Sequence, residues 1–430
     1  MYLVLNFLSH FWGSVQPASC LLLPASCRLP PAACFLPPGA RISCLVAMHS
    51  FRTSLVVAVL FGLVSGDLPA QKKKPGDDEG YVPVVAPDTK KKQKDDTQTL
   101  PPAKELPIAV VADTDRLAFQ VSPLSSKGLF TPQTREALKG LLRSSRGTIV
   151  KLRVFVAGSG NMRRVGELVG EAFADKRAAL PALSVVQVGA LPLEGAQVVI
   201  ETIEMEKRSV NPNGIAFVSG QAAQNAEKSI EQLKSALRGG GMEPEDALLV
   251  TCFVSSLEEQ KNTQELMKEN FPGAALNYVQ MQREPVMPAA ECEAVARARA
   301  VAPEPISFLN PPALDKSPHY SQIALVTSPK LVITGTQLAF GSQESDVKLA
   351  FERLGKALSG SNARFVHVVM SHLYLTSGAL TARVRSVRAS YYTGADPPAS
   401  TMLPFEGLPS LDASFAMDVV AVPDPVTARR

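Results

Sequence analysis

The sequence predicts an α+β fold made of three tandem domains, each a mainly antiparallel sheet with two helices on one face. Three observations lead there. The same order of strands and helices occurs three times beyond residue 106, which is internal repetition on the scale of whole domains. Stretches such as Leu248-Leu249-Val250 and Val366 to Met370 are apolar without alternation, as strands are when both faces of their sheet are covered. Strands also follow one another across each repeat boundary, which a strictly alternating α/β chain would not show. Helices on one side leave the second face of each sheet bare, so the three sheets are expected to pack against one another.

Residues 1–47 differ in kind from the rest of the chain. They contain no Lys, Asp or Glu, and they hold Cys20, Cys27, Cys34, Cys44 and the sole tryptophan, Trp12. Proline-broken Pro-Ala-Ser-Cys units with neither helical nor strand period read as a spurious or disordered extension; an unusual targeting segment and a metal-binding cysteine tract are the alternatives. Residues 48–70 read as a signal peptide, with Arg52 as a positive n-region, Leu55 to Val64 as the apolar run, and Leu68-Pro69-Ala70 as a small-residue end. That run is short for a bilayer span, so export with cleavage near Gln71 is expected, to a periplasmic or extracellular location, with no membrane contact beyond the signal segment. Residues 71–106 alternate lysine triplets with acidic pairs among prolines and predict a disordered tether.

The first repeat, 107–206, predicts strands near 117–121, 148–157, 183–191 and 197–205, with helices over 133–143 and 162–176. The second, 207–302, predicts strands over 215–223, 248–256, 275–282 and 290–298, with helices over 226–237 and 257–271. The third, 306–423, predicts strands at 331–339, 366–375, near 401, and 414–422, with helices over 346–358 and 380–392. Gly239-Gly240-Gly241 follows a helix and lacks the Lys-Ser/Thr continuation of a phosphate loop, so it reads as a helix stop. Cys252 and Cys292, the only cysteines beyond the signal segment, are open to two readings: buried thiols on strands or a bridge.

A formal charge of +4 over 430 residues does not suggest a nucleic-acid surface, which needs basic residues gathered on one face. His319, His367 and His372 lie in the third repeat; the latter two, five apart on one strand, point to opposite faces and disfavour a shared metal site.

Several motifs resemble the Rid family, the reactive intermediate deaminases. Pro318-His319-Tyr320-Ser321-Gln322-Ile323-Ala324 is similar to the family's Pro-Tyr-Ser-Gln-Ala opening. Ile215 to Ala222 is similar to its strand and Ser-Gly-Gln turn, as is Leu331 to Leu338. Pro397 to Thr401 is similar to its Pro-Ala-Arg-Ser segment, and Leu191-Pro192 with Val199 to Ile203 to its Leu-Pro turn and last strand. The resemblance spans roughly residues 108–423.

That resemblance implies small trimeric enzymes that hydrolyse enamines and imines to 2-keto acids, without metal or other cofactor, in clefts between subunits. Three copies in one chain would make a monomer that acts as a pseudo-trimer, with a small imino or keto acid as the implied ligand. It also implies site residues: Glu291 and Tyr320 as catalytic, and Gly220, Gln221 and Gly335 as ligand-binding. The arginine that would grip a carboxylate through two parallel hydrogen bonds is missing: its position falls at Leu183, near Ala274 to Leu276, and at Ser400. Arg283, the guanidinium nearest Glu291 in sequence, is the substitute anchor. The glutamate has counterparts only at Val199 and Ala416. Two functions therefore stand, an imine deaminase and a degenerate small-molecule binder or scaffold, and the absent arginines favour the second. Ribonuclease activity, a third possibility within the resemblance, finds no basic and aromatic stripe.

Overall fold

In the computed structural model the described residues are 105–425 apart from 159–161, 260, 283–288 and 395. The extension at 1–47, the signal peptide, most of the tether and Arg283 lie outside them. Sixteen strands and six helices are described. The chain begins with β1 (Ala109–Asp113), β2 (Leu117–Val121), α1 (Phe130–Ser144), β3 (Thr148–Ala157), α2 (Val165–Asp175), β4 (Ala182–Val188) and β5 (Val198–Met205). It continues with β6 (Ile215–Ala223), α3 (Ala226–Gly239), β7 (Ala247–Val254), α4 (Thr263–Asn270), β8 (Ala275–Gln280), β9 (Ala290–Arg297), β10 (Ile306–Leu309) and β11 (Ile323–Val326). It ends with β12 (Lys330–Thr334), β13 (Gln337–Phe340), α5 (Glu344–Gly360), β14 (Ala363–Leu375), α6 (Thr381–Tyr391), β15 (Ala399–Pro404) and β16 (Ala413–Pro423).

Local sequence accounts for the helices. The Asn225 side chain caps α3 by accepting from the Lys228 N–H, Ile230, Leu233 and Leu237 recur on its buried face, and Gly241 closes it at φ +78°. The helix expected over 257–271 is shorter, because only Thr263–Asn270 is helical.

Each sheet ends in a parallel pair, β3 with β4, β7 with β8 and β14 with β15, the two strands joined through a helix; the other pairs are antiparallel. The strand order is β2-β5-β3-β4 in the first sheet and β10-β11-β6-β9-β7-β8 in the second. The third runs β1-β12-β16-β14-β15, with β13 also on β16. Three strands thus leave their own segment, β1 for the third sheet and β10 with β11 for the second. β1 pairs with β12, Ala109 opposite Thr334, and β11 pairs with β6, Ile323 opposite Val218. The sequence pattern predicts no strand at β1, β10 or β11, whose place in a sheet depends on partners in other segments.

Helices and sheets share three apolar cores, one for each helix pair. Two further buried clusters join the opposite faces: one combines Phe155 and Val199 with Phe253 and Val279 and with Tyr374 and Phe405, and the other combines Val150, Phe217, Ile333 and Val420. The second face of each sheet is therefore covered by apolar side chains of the others, as the uninterrupted apolar strands required. The run expected as one strand at 331–339 is divided into β12 and β13, because Gly335 and Thr336 turn aside to donate to Ile108 O (2.7 Å) and Leu183 O (3.1 Å). Of the two readings for the cysteines, the bridge is the one observed: Cys252 and Cys292, directly opposed on β7 and β9, form a disulfide.

Candidate functional site

The strand registers place equivalent positions of the three sheets at one level. On the third, seventh and fourteenth strands these are Arg153, Thr251 and His372; opposite them on the last strands stand Glu201, Glu293 and Asp418, and on the parallel neighbours Ser184, Asn277 and Thr401. All face the inter-sheet side and form one buried polar layer. Arg153 donates from Nε to Glu201 (2.7 Å) and from Nη2 to Glu293 (2.6 Å). Ser184 donates to Asp418 (2.5 Å), Asn277 to Glu201 (2.6 Å), and Arg153 to Glu293, so each acid is held by a residue of another repeat. Lys151, one step along β3, reaches Ser184 (2.6 Å), Thr334 O (2.5 Å) and Asp418 (3.4 Å).

The charges in this layer set one another's protonation. Burial would raise Glu293, but Arg153 and His372 hold it down at about 2. Asp418, also opposed by burial, is kept well below the usual carboxylate range by Lys151, His372 and Ser184. Burial lowers His372, yet Glu293 and Asp418 raise it on balance, with Nδ1 3.0 Å from Asp418 and Nε2 3.5 Å from Glu293. Lys151 has a single acid partner, so burial prevails and its pKa falls. The layer borders a cavity of about 50 Å³. Its charges meet opposite charges across the repeats, which describes a specific packing core, with Arg153 Nη1 and Glu293 Oε2 left without a hydrogen-bond partner.

The polar groups left for a ligand are at the edge where β6 meets β15. A bulge between Val218 and Gln221 turns Ser219 and Gly220 toward the third sheet. There the Ser400 N–H donates to Ser219 Oγ (2.8 Å) and the Gly220 N–H to Thr401 Oγ1 (3.1 Å). Glu291, opposite Ala222 on β9, lays its carboxyl against Gly220 so closely that a Cβ there would overlap it. Glu291 is half-buried as a residue, but its enclosed carboxyl is pushed up to about 8, first by burial and then by the charge of Glu293. Tyr320 stands just before β11 in the same region. Its pKa is raised by burial and by Glu291, and its neighbour Ser321 bonds Pro397 O (2.6 Å) and Pro398 O (3.3 Å).

The crossing of β11 into the second sheet is what brings Tyr320 beside Gly220, Gln221 and Glu291. Gln221 donates to Gln322 (2.8 Å) and to Ser219 O (2.8 Å), which fixes the edge. Gly335 lies elsewhere, at the equivalent junction of the third and first sheets, where a Cβ would press on Leu183 O. At the junction of the first and second sheets a cavity of about 510 Å³ is lined by Val199, Leu276, Met267 and Tyr278, with the family's glutamate and arginine positions both apolar. Sequence reasoning missed the central layer and Arg388, a buried guanidinium on α6. The layer had a signal: Lys151, Arg153, Glu201 and Asp418 are charges inside otherwise apolar strands. Arg388 had none, because its helix mixes arginines and serines along its length.

Residues 122–205 and 312–423 match the family model described as Endoribonuclease L-PSP. These two matches support a Rid-family protein with repeated domains. The middle segment lies between the matches but repeats the same order of elements. No curated protein matches the chain. Similar solved structures include a Rid-family protein of unknown function from Yersinia pestis, 20% identical with TM-score 0.27, covering 28% of this chain and 99% of its own. A member of the YjgF/YER057c/UK114 family from Mycobacterium tuberculosis is 18% identical with TM-score 0.21, covering 27% and 98%. Yeast Mmf1 is 21% identical with TM-score 0.21, covering 28% and 98%.

Proposed function

We propose that this protein is an exported, single-chain pseudo-trimer of the Rid fold that binds a small molecule without turning it over. One observation carries the reading. In strand register, the positions matching the family's arginine are Leu183, Leu276 and Ser400, since Ser184, Asn277 and Thr401 occupy equivalent places one residue on. No side chain at those places can grip a carboxylate bidentately while water attacks an imine carbon.

The test is hydrolysis of 2-aminoacrylate and 2-iminobutyrate by purified protein, with ammonia release expected at the uncatalysed rate. Substantial turnover that disappears in Glu291→Ala would establish the second reading, imine deamination. That reading draws on the meeting of Glu291, Tyr320 and Gly220 in one junction, with a carboxyl still protonated near neutral pH.

The pseudo-trimer reading is supported by the bonds that tie each acid of the central layer to another repeat. Light scattering should find a monomer; a stable trimer of whole chains would refute it. Export is supported by the Cys252–Cys292 bridge, a feature of oxidising compartments. Terminal sequencing of native protein should begin near Gln71, and intact chain recovered from the cytosol would rule export out.

A further inference from the structure

Arg388 is buried, 3% exposed, on the face of α6 that looks at the sheet. Among the described residues no carboxylate lies within salt-bridge distance of it. Its Nε has no hydrogen-bond partner, its Nη2 makes only a long contact with Ser371 Oγ (3.4 Å), and its guanidinium stacks over the Tyr392 ring at 5.2 Å. An ion in this state is costly, because it has left water without gaining an opposite charge. The Nε and Nη2 edge that stands nearly free is the side of a guanidinium that takes a carboxylate in two parallel hydrogen bonds.

The surroundings connect that edge to the junction already described. Ser371 Oγ donates to Ser400 Oγ (3.1 Å), and Ser400 is the place where the strand arginine is missing. The Ser400 N–H is bound to Ser219 on β6, next to Gly220. Exposed Arg385, one turn earlier on α6, adds a second positive charge that helps to lower Arg388 and His319. Ser321, next to Tyr320 in the chain, is bonded to the Pro397-Pro398 approach to the same strand.

We infer that Arg388 is the anchor of a small monocarboxylate, entering from helix α6 to serve the junction between β6 and β15, with the Ser371 and Ser400 hydroxyls beside it. This rests on the proposal that the chain binds a small molecule, and it names the ligand's chemical class. It also replaces Arg283 as the substitute guanidinium.

Calorimetric titration of the whole chain with 2-oxobutyrate and with its neutral amide tests the inference. The acid should bind and the amide should not. Arg388→Met should weaken binding of the acid by about a hundredfold, the loss of two charge-assisted hydrogen bonds. The same variant should raise the thermal unfolding midpoint of the ligand-free protein, because it removes an unpaired buried charge, whereas a merely structural arginine would lower it. Arg388→Lys keeps the charge without the fork, guards against misfolding of the methionine variant, and should recover only a small part of the affinity.

Acid binding unchanged in both variants, or amide bound as well as acid, overturns the inference alone and leaves the binder reading standing. If neither probe binds the wild-type chain, the inference falls together with the binder reading for keto acids.

Discussion

The central layer and the β6–β15 junction are built from the same kinds of side chain, yet they treat charge in opposite ways. In the centre, Arg153 faces Glu201 and Glu293, while Lys151 and His372 face Asp418. At the junction, Arg388 faces no acid among the described residues, and Glu291 is held next to another acid and pushed up to about 8. Paired buried charge fixes how three sheets meet, since each partner leaves a large penalty behind if it is removed. Unpaired buried charge does nothing for stability, and that is why the proposed ligand contact is placed at the junction.

Breaking the centre should have the largest effect. Arg153→Met strands two buried carboxylates at once, so it is expected to destabilise the protein by about 3–5 kcal/mol, read as a fall in urea midpoint. A loss under about 1 kcal/mol would mean that the layer relaxes readily and that its pairing is incidental. The opposite sign expected for Arg388→Met makes the pair of variants a direct measure of the contrast.

Much of this fold is legible because its strands announce themselves. Ile215–Ala223 and Thr148–Ala157 follow from apolar runs alone with the boundaries the structure shows, and the amphipathic spacing of α3 and its glycine stop agree with the structure as well. What cannot be read is pairing between distant segments. Ile323–Val326 belongs to the sheet of β6, over a hundred residues earlier, and nothing local in its four residues selects that partner over β12. The site inherits this limit: Glu291 and Tyr320 are both identified from motifs, but their meeting depends on that crossing strand. Arg388 depends on helix rotation, which a weakly amphipathic segment does not reveal.

A milder perturbation sharpens the junction side of the contrast. Gly220→Ala puts a methyl group into the Glu291 carboxyl, so either the bulge or the acid must move. The expected cost is about 1–3 kcal/mol, in the range of overpacking a tight site. Glu291→Ala in the same background should recover part of it, since the obstruction is then gone. Additive losses in the double variant would show that glycine is needed there for the backbone and not for the acid.

The smallest effect is in pH dependence, and it isolates Glu291. In the folded chain this carboxyl keeps its proton up to about 8, whereas its ordinary value is 4.5. Folding therefore takes up a proton between those values, so stability falls as pH rises through that window and levels off above it. The full shift would correspond to about 5 kcal/mol, and partial exposure of the residue reduces the expectation to about 1–3 kcal/mol. Glu291→Gln has no proton to lose. It should unfold at the same urea concentration as wild type near pH 4 after any constant offset is subtracted, should gain on it as pH rises to about 8, and should hold that gain at pH 9. Glu293, held at about 2 by Arg153 and His372 against the effect of burial, gives the reverse slope: its contribution is complete above 4.5 and is lost only as pH falls toward 2. The two acids are two residues apart on one strand, so opposite slopes from neighbours would place the boundary between the paired centre and the unpaired edge between Glu293 and Glu291. A Glu291→Gln difference that stays constant from pH 4 to 9 would erase that boundary.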